Sequence, residues 1–167
     1  TSFGKSLSIT MECLWYIQKG MKCLIVVPTK DLVNQFYNDI LDYATNEDGE
    51  LESWYPCVQK IFYGMDKDIS PDTNICISTW QSLHKLPRNY MNQFDVIILD
   101  ECHKGQSKAI RNLMLSATNV KYRTGWTGSL SDEVMSELLI TGLFGPKKEI
   151  ITTKELMDKN IVASLNI

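Results

Sequence analysis

The sequence has no C-x-x-C pair, no apolar run near the roughly 20 residues that cross a bilayer, and no charged-then-apolar leader. It has two histidines and a net charge of −3. These scarcities argue against a disulfide scaffold, a membrane span and a secreted protein. They also argue against a surface that attracts nucleic acid by overall charge. Any such contact must come from a local patch, and Lys104, Lys108, Arg111, Lys121 and Arg123 offer one. The five cysteines, Cys13, Cys23, Cys57, Cys76 and Cys102, are an odd set without paired spacing and read as reduced core thiols. Cys102 and His103 are neighbours, but the remaining histidine, His84, has no paired cysteines to complete a zinc site.

What is present fits one α/β domain: 167 residues, 44% apolar and 22% charged, enough for a substantial core. Gly4–Lys19 carries Leu7, Met11, Leu14 and Trp15 at helical spacing, with Gly20 as a stop. Cys23–Pro28 is a continuous apolar run of the kind buried on both faces of a parallel sheet, and Thr29–Tyr43 returns to helical periodicity. Thr45–Tyr55 is polar and acidic and reads as a surface excursion before a short strand at Val58–Tyr63. Further strands are expected at Asn74–Thr79, Phe94–Glu101 and Lys121–Trp126, with helices at Ser107–Ser116 and Asp132–Thr141. This alternation predicts a mostly parallel sheet flanked by helices, whose strand C-terminal edge is where ligands bind. Trp15, Trp54, Trp80 and Trp126 read as packing residues first, with base stacking the alternative for Trp126.

Two segments carry chemistry. TSFGKS, Thr1 to Ser6, holds the last three residues of the phosphate-binding pattern G-x-x-x-x-G-K-S/T. Backbone N–H groups around Thr1, Ser2, Phe3 and Gly4 would cup phosphate oxygens, Lys5 would offset the β and γ phosphate charge, and Ser6 would reach Mg²⁺. A glycine-led helix start with no ligand explains the tripeptide GKS equally well. The second segment, Asp100-Glu101-Cys102-His103, follows the buried run VIILDE and places two carboxylates at a strand end. Asp100 suits a Mg²⁺ ligand acting partly through water, and Glu101 suits a base that orients and deprotonates the water attacking a γ-phosphate. His103 suits a hydrogen-bonding link between that site and neighbouring loops.

Taken in order, TSFGKS, VVPTKDLVNQ, ISTWQSL, DECH and TGWTGSL resemble motifs I, Ia, Ib, II and III of superfamily 2 helicases, and the chain is similar throughout to the UvsW group of phage DNA helicases. The resemblance implies a RecA-like P-loop lobe spanning residues 1–151, cut short at its start and lacking the strand before the phosphate loop. Without that strand the sheet is expected to miss a central member. Residues 152–167 would begin a linker toward a second RecA-like lobe. It implies ATP and Mg²⁺ as cofactors, and branched or duplex DNA as the partner with RNA as an alternative. Work in the cytoplasm, of a host cell if the source is a phage, is implied too. By resemblance, Pro28, Thr29, Lys30, Ser78, Thr79 and Gln81 would face the nucleic-acid backbone, while His103, Thr127, Gly128 and Ser129 would couple nucleotide state to strand movement. Thr29 and Thr79 are equally suited to cap helices. Ser129 departs from the alanine-threonine ending commoner in that third motif. The rival motors are a restriction-enzyme translocation subunit and an RNA helicase. A rival of another class is a module that binds nucleotide or a protein partner without turnover.

Overall fold

The computed structural model describes residues 4–62, 65, 67–128 and 134–149. Five strands, β1 (Cys23–Val27), β2 (Val58–Ile61), β3 (Ile75–Thr79), β4 (Val96–Asp100) and β5 (Tyr122–Trp126), form one sheet in the order β2-β3-β1-β4-β5. Every pairing in it is parallel. The helices are α1 (Lys5–Ile17), α2 (Lys30–Tyr43), α3 (Trp80–Leu83), α4 (Lys108–Ser116) and α5 (Val134–Phe144), with 3₁₀ turns at Arg88–Gln93 and Cys102–Gln106. Among the described residues the five strands are contiguous, without the gap expected at the centre of the sheet; β2 and β5 are the outer strands.

Strand alternation assigns the two cores. On β1, Cys23, Ile25 and Val27 meet Ile9, Cys13 and Tyr16 of α1 and Val33, Phe36 and Ile40 of α2. The intervening Leu24 and Val26 face the opposite side, with Leu83, Met91, Ile110, Leu113 and Met114. Both faces of β1, β3 and β4 are therefore buried, which is why these strands are unbroken apolar runs. β5 is less buried, as an outer strand.

Trp15, Trp54 and Cys57, expected to be packed, are exposed. The stripe Leu7, Met11 and Trp15 is the exposed face of α1, at 44%, 59% and 51% exposure, and the sheet is met by Ile9, Thr10, Cys13 and Tyr16. Both stripes are apolar at helical spacing, so periodicity shows a helix without choosing its inner face. Trp54 is likewise exposed, whereas Trp80 and Trp126 pack at the edges of the cores. Cys57 is exposed, unlike the other four free cysteines. No helix among the described residues is long and apolar enough to cross a membrane.

Candidate nucleotide site and adjoining basic cleft

Because the strands are parallel, their C-terminal ends share one edge, and the segments marked by sequence leave from it: Pro28 after β1, Trp80 after β3, Glu101 after β4 and Thr127 after β5. Gly4 enters α1 at φ 75°, a left-handed conformation that disfavours any side chain, and its carbonyl accepts from the Ser8 amide at 2.9 Å. The first turn of α1 carries no acidic residue, so the positive end of its dipole stays open to an anion. Thr1, Ser2 and Phe3, expected to complete the phosphate cradle, lie outside the described residues.

Lys5 extends from that helix start to the end of β4. Its ammonium lies 2.7 Å from Asp100 Oδ1 and pairs more closely still with Glu101 Oε1. Burial alone would lower the Lys5 pKa; the two carboxylates outweigh it and raise the value above the ordinary 10.5. Burial would raise the Glu101 pKa, but the Lys5 hydrogen bond and charge, helped by His103 and Lys104, hold it below its ordinary 4.5. Glu101 is thus an anion at neutral pH, as a proton acceptor must be. Asp100 Oδ1 is buried with the Lys5 ammonium as its charged partner, so this carboxylate oxygen already faces a cation, as a Mg²⁺ ligand would. Burial pushes the Cys102 thiol up to about 11, so it is a neutral thiol at neutral pH.

Glu101 sits at φ 54°, and among the described residues it alone combines a side chain with a left-handed backbone. Such a conformation costs of order 1 kcal/mol or more and persists where surroundings over-determine it. Here Lys5 holds the carboxylate from one side while His103 Nδ1 lies 3.2 Å from Oε2 on the other. The same Nδ1 lies 2.9 Å from Thr127 Oγ1, joining the end of β4 to the end of β5. Gly128 is exposed beyond Thr127, and Ser129 lies outside the described residues. Ser6 is at the helix start as expected, with its hydroxyl hydrogen-bonded to Tyr43 at 2.8 Å.

Alongside, Pro28, Thr29, Lys30, Thr79 and Gln81 line a cleft of about 460 Å³. Gln81 Nε2 donates to the Pro28 carbonyl at 3.2 Å and ties its two walls. Thr29 and Thr79 cap α2 and α3 by accepting from the Leu32 and Ser82 amides. Ser78 is not brought to the cleft: it is fully buried and donates to the Ile61 carbonyl at 2.6 Å. The cleft is also lined by Ser82, which lies within ISTWQSL but was not singled out, and by Lys67 and Lys85, which no motif marked. Lys85 stands four residues after Gln81, a helical spacing that would have signalled a shared face; Lys67 lies in irregular chain without pattern. The basic patch read from sequence is partly spent on structure, since Lys121 pairs with Asp95 at 2.8 Å and Arg123 donates to the Ala117 carbonyl.

A glycine-led helix carrying lysine against an Asp-Glu strand end, on the edge of a parallel sheet with a basic cleft beside it, defines a RecA-like lobe of the superfamily 2 helicase class. The family of type III restriction enzyme res subunits matches residues 1–131, and the chain belongs to it. It is 31% identical over its whole length to the ATP-dependent DNA helicase UvsW of enterobacteria phage T4, spanning 32% of that protein. The crystal structure of the T4 UvsW helicase superposes with a TM-score of 0.69 at 29% identity, covering 85% of this chain and 49% of that one. A Sulfolobus solfataricus SWI2/SNF2 ATPase core in complex with dsDNA shares the fold at 17% identity, with a TM-score of 0.62 over 85% of this chain and 29% of its own. The chain thus spans about a third of the length of the curated relatives it matches.

Proposed function

We propose that the chain is the ATP-binding lobe of an ATP-dependent DNA helicase or translocase that unwinds or remodels branched DNA in recombination and repair. The observation that carries this reading is the meeting of Lys5 with Asp100 and Glu101, on the same sheet edge as a cleft lined by Lys30, Lys67 and Lys85. Lys5 would exchange its carboxylate partners for the β and γ phosphates of ATP. Asp100 and Ser6 would hold Mg²⁺, Ser6 after release from Tyr43. Bound Mg²⁺ would supply charge neutralisation between phosphate oxygens. Glu101, freed from Lys5, would orient a water and take its proton, while His103 keeps the carboxylate turned toward the site. Thr127, Gly128 and Ser129 would link that state to the cleft.

The cleft suits a nucleic-acid backbone, because its lysines and the N-terminus of α2 are groups that grip phosphates. A motor that must pass over any sequence needs this kind of grip. DNA is preferred over RNA because the T4 relative is a DNA helicase. A second RecA-like lobe in the full-length protein, joined through residues 152–167, would complete the ATP site from its far side. Such a motor would act in the cytoplasm, where its substrates lie.

The test is ATP turnover by the full-length protein with branched DNA, single-stranded DNA, RNA or none, at matched salt. Strong stimulation by branched DNA is expected. Preference for RNA would move the activity to RNA remodelling, and absence of turnover with every nucleic acid would refute the motor.

A further inference from the structure

Glu12 belongs to none of the segments above, yet both of its carboxylate oxygens are engaged. Thr124 Oγ1 donates to Oε1 at 2.6 Å and Trp126 Nε1 donates to Oε2 at 2.8 Å, each contact partly buried. Thr124 and Trp126 are alternate residues of β5, so both side chains leave the same face of that strand and reach one carboxylate. Glu12 follows Lys5 by seven residues, two turns of helix, which puts both on one side of α1 about 10 Å apart along its axis. A closed circuit of polar contacts results. It runs from Lys5 to Glu101, to His103, to Thr127, back along β5 through Trp126 to Glu12, and up α1 to Lys5.

We propose that Glu12 is a positioning residue that couples the phosphate-binding helix to the strand carrying Thr127, so that occupancy of the nucleotide site is felt by β5. The inference rests on the nucleotide reading above. When Lys5 leaves the carboxylates for a phosphate, the contact between α1 and the end of β4 is lost. Glu12 is then the polar tie of this circuit that still joins α1 to β5, and movement of the helix start reaches Thr127 through it. An apolar residue in its place would leave α1 and β5 packed, with the Tyr16 contact to Thr124, but less fixed in register, because dispersion contacts lack direction whereas two hydrogen bonds to one carboxylate set a register. Glutamine can take both partners: its carbonyl accepts from the indole N–H and its amide donates to the Thr124 hydroxyl, which can accept.

The test labels the full-length protein with 5-fluorotryptophan, assigns the Trp126 resonance by its loss in Trp126→Phe, and titrates ADP with Mg²⁺. The Trp126 resonance is expected to shift on ADP binding in the wild type and in Glu12→Gln. In Glu12→Ala the shift should vanish while ADP affinity stays within about threefold. Thr124→Val, a milder change, should keep the protein folded and reduce the shift. A merely structural Glu12 would lower the melting temperature of Glu12→Ala and leave the ADP-induced shift in place, which would overturn the proposal. Failure of the wild type to bind ADP by calorimetry would remove the nucleotide reading and the relay together; binding with an unaltered Glu12→Ala response would remove the relay alone.

Discussion

Replacing Gly125 by alanine tests how the Asp-Glu turn is held. Gly125 is the fourth of the five residues of β5, and a Cβ built on it would stand 2.7 Å from Cys102 Cβ and 3.0 Å from both Cys102 Sγ and Phe144 Cγ. Carbon atoms rest at about 3.5–4.0 Å, so the first contact is short by about 1 Å. Neither Cβ can rotate away, being fixed to its backbone, and Phe144 blocks the other side. β5 or the 3₁₀ turn at Cys102–Gln106 must therefore move. Forcing a methyl into such packing costs about 1–3 kcal/mol. For a domain of this size that lowers the melting temperature by about 2–4 °C per kcal/mol, hence about 2–12 °C. Cys102 sits between Glu101 and His103, so the same movement reaches the candidate base, and a misplacement of about 1 Å can cost on the order of 10²-fold in rate. The assays are thermal denaturation and ATP turnover of the full-length Gly125→Ala protein. A melting temperature within about 1 °C of wild type, with turnover unchanged, would refute the packing argument.

Four further outcomes follow from the geometry. Glu101→Gln should bind ATP with near-normal affinity and hydrolyse it about 10²–10⁴-fold more slowly, by single-turnover kinetics; normal hydrolysis would show that Glu101 is not the base. Lys5→Ala should weaken nucleotide binding and also lower the melting temperature, because it strands Asp100 without its ion pair. Lys85→Ala and Lys67→Ala should each flatten the salt dependence of DNA affinity by about one unit of slope, and an unchanged slope would remove that lysine from the contact. The fourth concerns pH. Glu101 is depressed by Lys5 despite burial, and Asp95 is held below its ordinary 3.8 by the Lys121 hydrogen bond and the Lys22 amide. Depressed carboxylates bind fewer protons folded than unfolded, so their stabilisation is complete above the ordinary values and is lost as pH falls through the folded ones. Lys5, raised above 10.5, contributes fully below that value and loses its contribution as pH rises through the folded one. Melting temperature should therefore drop below about pH 4 and above about pH 10.5, and Glu101→Gln with Asp95→Asn should soften the acid side.

The order of strands and helices was legible because the signals are local. Apolar runs of strand length ending in polar residues, and Thr29 and Ser107 before helical periodicity, reflect propensities that act over a few residues. Element ends moved by one to three residues where caps, not patterns, set them: α1 stops at Ile17 and β2 at Ile61. The Lys5, Asp100 and Glu101 trio was legible for a related reason. A helix start and a strand end in a parallel sheet point to one edge whatever lies between them.

By itself, then, the sequence determined the element types, the parallel sheet and the residues converging on its C-terminal edge. Tertiary structure alone decided which apolar stripe of α1 faces inward, that Ser78 is buried beneath the cleft it was expected to line, and that Arg123 and Lys121 serve the fold. It also decided that Lys67 and Lys85 join Lys30, and that Glu12 meets a strand 112 and 114 residues away. Periodicities of 2 and 3.6 residues say that a face exists; which face is buried, and beside what, depends on how all the elements pack at once.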